Sequence, residues 1–183
     1  MNTIVLHGSP RKNGDSDTLA EAFLSRLQAQ GECQVKHFYT NEMNIRPCQG
    51  CLKCNNHLVH YCATEDDMQQ IYSAFIDSEI IVFATPMYWG YMTAQLKAVM
   101  DRMEAITGYF KGKTFVVLIT YHYHCASTVA FFERITPFFK VKLHVITCRT
   151  MDEKTEKDIP VTAIPEKLRE AEELGRKVSS LAA

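Results

Sequence analysis

The chain has 183 residues, 46% hydrophobic and 22% charged, with a net charge of −1. Those values exclude a disordered chain and a nucleic-acid binder working by bulk charge, and no apolar run reaches the length of a membrane span. The seven cysteines, an odd number, are expected as reduced thiols; the chain opens directly on a strand, so no leader is expected and the expected setting is cytoplasmic.

Residues 3–7 are apolar at nearly every position, as in a strand buried on both faces. Residues 16–30 predict a helix, with Leu19, Ala22, Phe23, Leu24 and Leu27 spaced for one face and Gly31 ending it. Residues 33–39 alternate apolar and polar and predict an edge strand. A long irregular segment, roughly 40–64, follows and holds most of the cysteines; a loop this long in a compact domain is expected to be functional or disordered. Residues 65–76 predict a helix on Met68, Ile71, Tyr72 and Phe75. Residues 79–84 are a strongly apolar central strand, ending in a loop over 85–92. A helix over 93–106, a strand over 113–120, a helix over 126–138, a strand over 141–148 and a charged helix over 163–181 complete the chain. Five strands alternating with helices predict a single α/β domain over 1–183, with a parallel sheet, right-handed crossovers and helices on both faces. Ligands of such sheets bind at the carboxyl ends of the strands.

The loop after the first strand carries the first chemistry. It reads Gly8-Ser9-Pro10-Arg11-Lys12-Asn13-Gly14-Asp15-Ser16-Asp17-Thr18-Leu19 and runs into a helix. Unpaired N–H groups and the dipole of that helix start, with nearby hydroxyls and two basic residues, suit an anion. Gly8 and Gly14 are separated by five residues and Asp15 follows Gly14, so neither a nucleotide triphosphate loop nor a three-glycine dinucleotide fingerprint is matched. A terminal phosphate monoester such as that of FMN fits better, while the plain alternative is a solvated loop capped by Ser16 or Asp17. A carboxylate near a phosphate costs affinity unless it points outward, which sets Asp15 against the phosphate reading.

Two further loops leave the same sheet edge. Residues 85–92 put Tyr88, Trp89 and Tyr91 beside Pro86 and Gly90, aromatics able to wall in a flat ring or to pack at a subunit interface. Residues 121–125 read Tyr-His-Tyr-His-Cys; a loop histidine can transfer protons but is more commonly just solvated. Away from that edge, Cys48, Cys51, Cys54 and Cys62 can cup a 4Fe-4S cluster. Zinc with His57 or His60, and metal-free thiols, are the competing readings. Cys33, Cys125 and Cys148 are expected as small core residues.

In combination these motifs resemble the NAD(P)H-dependent FMN reductase family. The resemblance rests on residues 8–14 and 16–19, on Thr85-Pro86-Met87-Tyr88, on Leu96-Lys97 with Asp101-Arg102, and on Gly112-Lys113. Pro47-Cys48-Gln49-Gly50-Cys51-Leu52-Lys53-Cys54, then Cys62 and Asp66-Asp67-Met68, is similar to the branch of iron–sulfur flavoproteins. The resemblance implies a flavodoxin-like three-layer sandwich with a five-stranded parallel sheet in the order 2-1-3-4-5 and a cysteine-rich loop at about 44–64. It implies one FMN per subunit, NADH or NADPH as reductant, and a homodimer or homotetramer. By matching position, Ser9, Arg11, Ser16, Asp17 and Thr18 would hold the FMN phosphate, and Pro86, Met87, Tyr88, Trp89 and Gly90 would line the ring. No protein side chain is expected to be a covalent catalyst, because the flavin carries the chemistry. The expected activity delivers electrons to a small-molecule acceptor such as a quinone, a flavin or a nitroaromatic, with no nucleic acid or membrane partner. The alternatives are an iron–sulfur flavoprotein in electron transfer, a flavodoxin-like carrier, which the small net charge disfavours, and a thiol redox or metal sensor.

Overall fold

The computed structural model describes residues 1–55 and 62–182. Five parallel strands form the central layer: β1 (Asn2–His7), β2 (Gln34–Tyr39), β3 (Ile80–Tyr88), β5 (Thr114–Tyr121) and β6 (Lys142–Arg149). A two-residue strand, β4 (Tyr91–Met92), turns back antiparallel on β3. The sheet order is β2-β1-β3-β5-β6, which in parallel strands alone is the expected 2-1-3-4-5. The helices are α1 (Asp15–Gln28), α2 (Met68–Ile76), α3 (Ala94–Arg102), α4 (Ala126–Phe138) and α5 (Pro165–Ala182).

Successive side chains of a strand point to opposite faces, so β3 feeds two cores. Ile81 and Phe83 join Phe75 of α2, Leu96 of α3 and Phe132 of α4 on one side. Val82 and Ala84 join Leu19, Phe23 and Leu27 of α1 and Ala171 and Val178 of α5 on the other. Burying each large side chain here stabilises the fold by roughly 1.5–3 kcal/mol. Both faces are covered, which is why the central strands read as unbroken apolar runs.

The structure corrects several expectations. β3 does not stop at Ala84. Its backbone stays paired with β5 as far as Pro86 opposite Thr120, and then Met87 and Tyr88 pair with Met92 and Tyr91. The expected 85–92 loop is therefore the end of a long strand and a hairpin. Helix α1 starts at Asp15 with Gly14 as its cap, so neither Ser16 nor Asp17 is the cap residue. Helix α2 starts at Met68, because Asp66 and Asp67 are drawn into hydrogen bonds with the loop before it. Cys148 is fully buried, and burial pushes its thiol up to about 11. Cys33 and Cys125 are only half-buried: Cys33 stands just before the edge strand and Cys125 at the start of α4.

Candidate functional site at the carboxyl edge of the sheet

The carboxyl ends of β1, β3, β5 and β6 converge on two cavities. The first, of about 230 Å³, is lined at one end by Ser9, Arg11, Gly14, Asp15 and Ser16 and at the other by Pro86, Met87 and Tyr88. Thr120, Tyr121, His122 and Thr150 close its side. The second, of about 540 Å³, is lined by Met87, Tyr88, Trp89, Gly90, His122, Tyr123 and His124. Met87, Tyr88 and His122 line both, so the two are contiguous.

The loop after β1 is held from within. Gly8 donates its N–H to Ala84 O at 2.8 Å, seating the loop against β3. Ser9 is buried and its Oγ accepts the Arg11 N–H at 3.0 Å. Asn13 takes a positive φ of 58°, and its N–H donates to Asp17 Oδ2 at 2.9 Å. The first bond within α1 runs from Thr18 N to Gly14 O, so the amides of Asp15, Ser16 and Asp17 precede the helical ladder, at the positive end of the helix dipole.

Of the five residues expected at the phosphate, Ser9, Arg11 and Ser16 line the cavity. The side chains of Asp17 and Thr18 do not. Asp17 is buried, with Oδ1 2.8 Å from His7 Nδ1 and Oδ2 taken by Asn13, while the Thr18 hydroxyl donates to Gly14 O at 3.1 Å. Both side chains are thus engaged within the loop and its helix start, Asp17 by His7 and Asn13 and Thr18 by Gly14. Asp15 reaches the cavity, but its Oδ1 accepts the N–H of Val161 at 2.7 Å, which turns the charge toward the segment after β6.

All five residues expected at the ring line one or both cavities. Trp89 and Gly90 form the two-residue turn between β3 and β4 with φ values of +49° and +77°, the pair of positive angles a tight primed hairpin turn requires. The Ser127 hydroxyl at the start of α4 donates to Gly90 O. Trp89 is fully exposed, and Tyr88 and Tyr123 are exposed beside the cavity.

The segment after β6 was not read from the sequence as part of the site. Thr150 N–H donates to Tyr121 O at 2.8 Å, and Ile159 N–H to Thr150 O at 3.0 Å. Arg149 Nε donates to His122 O at 2.8 Å, and Asp158 Oδ1 lies 3.4 Å from His122 Nε2. The position of Thr150, one residue past the carboxyl end of a parallel strand, was the available signal.

The cysteine loop is anchored at its base. Arg102, with a fully buried side chain, donates to Asp66 Oδ2, to Arg46 O at 3.2 Å and to Thr64 O at 2.8 Å. One guanidinium thus ties together the two stems of the loop that carries Cys48, Cys51, Cys54 and Cys62. Cys48 and Cys51 are exposed, whereas Cys54 and Cys62 are half-buried against the core. Burial pushes the Cys62 thiol up, but the N–H and hydroxyl of Thr64 and the Arg102 guanidinium outweigh it and hold the thiol below its ordinary value. Among the described residues, no three Cys, His, Asp or Glu side chains are gathered to hold a metal ion. His57 and His60 lie outside the described residues. Among the described residues, no helix is long and apolar enough to cross a membrane.

Residues 1–149 match the family described as NADPH-dependent FMN reductase. An iron–sulfur flavoprotein of Archaeoglobus fulgidus is 39% identical over 112 residues, 59% of this chain and 55% of that protein. The chain spans about half the length of the curated relatives it matches. An azoreductase from Bacillus anthracis superposes with a TM-score of 0.77 over 97% of this chain and 99% of that one, at 14% identity. An FMN-dependent NADH-azoreductase from the same species, solved in complex with FMN, gives 0.72 over 98% and 100% at 11% identity. At those identities the likeness is one of fold.

Proposed function

Because the chain belongs to the NADPH-dependent FMN reductase family, we propose that it is an FMN-dependent NAD(P)H oxidoreductase. Its acceptor is a flat small molecule such as a quinone, a free flavin or a nitroaromatic. One observation carries the reading: a helix-start anion site and an aromatic-walled cavity are contiguous along one sheet edge. The donor set fits a phosphate monoester, with the Ser9 and Ser16 hydroxyls, Arg11 and the first amides of α1 on one cavity and no free carboxylate oxygen of Asp17 among them. Pro86, Met87, Tyr88, Trp89 and Gly90 would flank the ring, and the larger cavity over Tyr88, Trp89 and Tyr123 would admit the nicotinamide and then the acceptor. Bound FMN supplies the transfer of reducing equivalents between the two; the protein binds, orients and limits access. Aromatic walls with few fixed polar partners discriminate poorly among flat acceptors, which favours a broad range of them.

The same reading takes residues 1–183 as one FMN-binding unit that works as a homodimer or homotetramer, with exposed Tyr88, Trp89 and Tyr123 supplying apolar contact area. All seven cysteines are free, which suits a reducing, cytoplasmic setting. The test is a flavin titration of purified chain followed by anaerobic NADPH and NADH oxidation with a quinone. Stoichiometric FMN binding and acceptor-dependent oxidation are expected; no bound flavin absorbance in excess FMN would sink the proposal.

A second reading, an iron–sulfur flavoprotein with a 4Fe-4S cluster on Cys48, Cys51, Cys54 and Cys62, is favoured by the Arg102 anchor and by the Archaeoglobus fulgidus relative. The four thiols do not form a ready metal set as they stand, so the loop between its anchored stems would have to rearrange. Iron and acid-labile sulfide assays on anaerobically purified protein decide between the readings.

A further inference from the structure

Beneath the loop after β1 lies a buried hydrogen-bonded relay. His7, the last residue of β1, is fully buried, with Nδ1 2.8 Å from Asp17 Oδ1 and Nε2 3.0 Å from His37 Nδ1. An ionised carboxylate only accepts, so His7 Nδ1 donates to Asp17. One proton then occupies the gap between the two rings: either His37 donates to a neutral His7, or a protonated His7 donates to His37. The other oxygen of Asp17 accepts the Asn13 N–H, which ties the relay to the loop itself. His37 is exposed on the edge strand and gives the relay a path to solvent.

The charges around the relay come from each element packed on it. Helix α1 contributes Asp17 and, toward His37, Glu21. Strand β2 contributes Tyr39, stacked on His7 at 4.3 Å with planes 11° apart. Lys12 in the loop lies 4.5 Å from the Tyr39 ring and pairs with Glu42 at 2.8 Å. Strand β3 places uncharged Ala84 beside His7. Partial desolvation of its ring, and then His7, hold His37 below its ordinary value, so in the free protein the pair is neutral near neutral pH and has a site vacant for a proton.

We propose that Asp17, His7 and His37 form a proton-linked support of the phosphate loop, which takes up one proton from solvent when a phosphate monoester dianion binds. The inference rests on the FMN reading above. A buried carboxylate bonded to the loop that would hold a dianion is costly, and the low local dielectric strengthens the repulsion. One proton beyond the two N–H protons of the neutral imidazole pair leaves Asp17 able to hold Asn13 while cancelling its charge. The sign follows from linkage: binding of the dianion raises the pKa of the pair, so phosphate affinity rises as pH falls through it. The second ionisation of the ligand's own phosphate, near about 6, works in the opposite direction, so the test stays above it.

The experiment measures FMN and riboflavin dissociation constants from about pH 6.5 to about pH 8.5, for wild type and H7N, beside an imidazole NMR titration of the wild type. For wild type, FMN should weaken about two- to fivefold across that range while riboflavin, which lacks the phosphate, stays flat. FMN should raise the pKa of the imidazole pair by about one unit and riboflavin should not. In H7N the FMN slope should vanish. Equal FMN slopes in wild type and H7N, a riboflavin slope matching that of FMN, or an imidazole pKa unmoved by FMN would overturn the proposal. The NMR titration, done on the unaltered protein, carries the test if H7N does not fold. Failure of both flavins to bind at any pH would overturn the FMN reading itself, and this inference with it.

Discussion

At the scale of single residues, the pair Asp66 and Arg102 decides the cysteine loop. Both side chains are buried, at 1% and 0% exposure. Burial pushes the Asp66 carboxyl up, but Arg102 and the N–H groups of Arg46 and Met68 outweigh it and hold the carboxyl below its ordinary value. A lowered carboxylate adds stability that is fully present above its unfolded pKa and is lost as pH falls through the lower folded one. Asp66→Asn removes that dependence and leaves a buried guanidinium uncompensated, at a cost of about 3–5 kcal/mol. Urea unfolding of the variant should show that loss, with a flatter stability profile below about pH 4 than wild type. Gly8 is the second such position. A Cβ there would stand 3.0 Å from Thr85 Oγ1 and Thr93 Oγ1 and 3.1 Å from Leu96 Cβ. Thr93 caps α3 through its bond from Leu96 N–H, so it cannot rotate away freely. Gly8→Ala should lower stability by about 1–3 kcal/mol in the same assay. The sequence marked Gly8 by its place between strand and loop, but the partners that crowd it, 77 and more residues away, were not legible.

At the scale of elements, the hairpin of β3 and β4 stands out. Trp89 holds φ at +49° although a bulky side chain there is strained, at roughly 1–3 kcal/mol. Asn before Gly is the favoured pair for such a turn. Trp89→Asn should therefore leave stability equal or about 1 kcal/mol higher while weakening flavin or acceptor binding, as thermal unfolding and FMN titration would read. Lower stability with unchanged binding would mean that Trp89 packs the fold and has no part in the site. Element existence was legible here because apolar runs and helical spacing are local properties. The end of β3 was not: Pro86 and Gly90 read as a loop, and only pairing with β5 and β4 keeps the intervening backbone extended. Helix α1 shows the same limit in reverse. Gly14 caps it because the Asp17 carboxylate is spent on His7 and Asn13, a commitment that needs the folded neighbours to exist.

At the scale of the whole molecule, alternation of strands and helices sufficed for the sheet order, because right-handed crossovers leave few arrangements. The closing segment after β6 escaped the sequence reading, since its bonds to Tyr121 and Asp15 join parts of the chain that have no common local pattern. The same long-range closure governs how α1 and α5 cover one face of the sheet. They meet at Gly175, where a Cβ would fall 2.2 Å from Phe23 O and 3.1 Å from Leu27 N. Two effects compete in Gly175→Ala. Alanine is the better helix former by about 1 kcal/mol in a helix interior. Against it stands a clash with backbone atoms, which have no rotamer to escape into, so the two helices must separate. That separation would loosen the contacts of Phe23, Ala171 and Val178, each buried in the core between helix and sheet. Overpacking of this kind costs about 1–3 kcal/mol or more. The clash should win, and the variant should unfold at lower urea concentration with the far-ultraviolet helix signal of the native state retained. A midpoint equal to or above that of wild type would mean that α5 can shift on α1 at no cost, and that the close approach at Gly175 does not hold this layer in place.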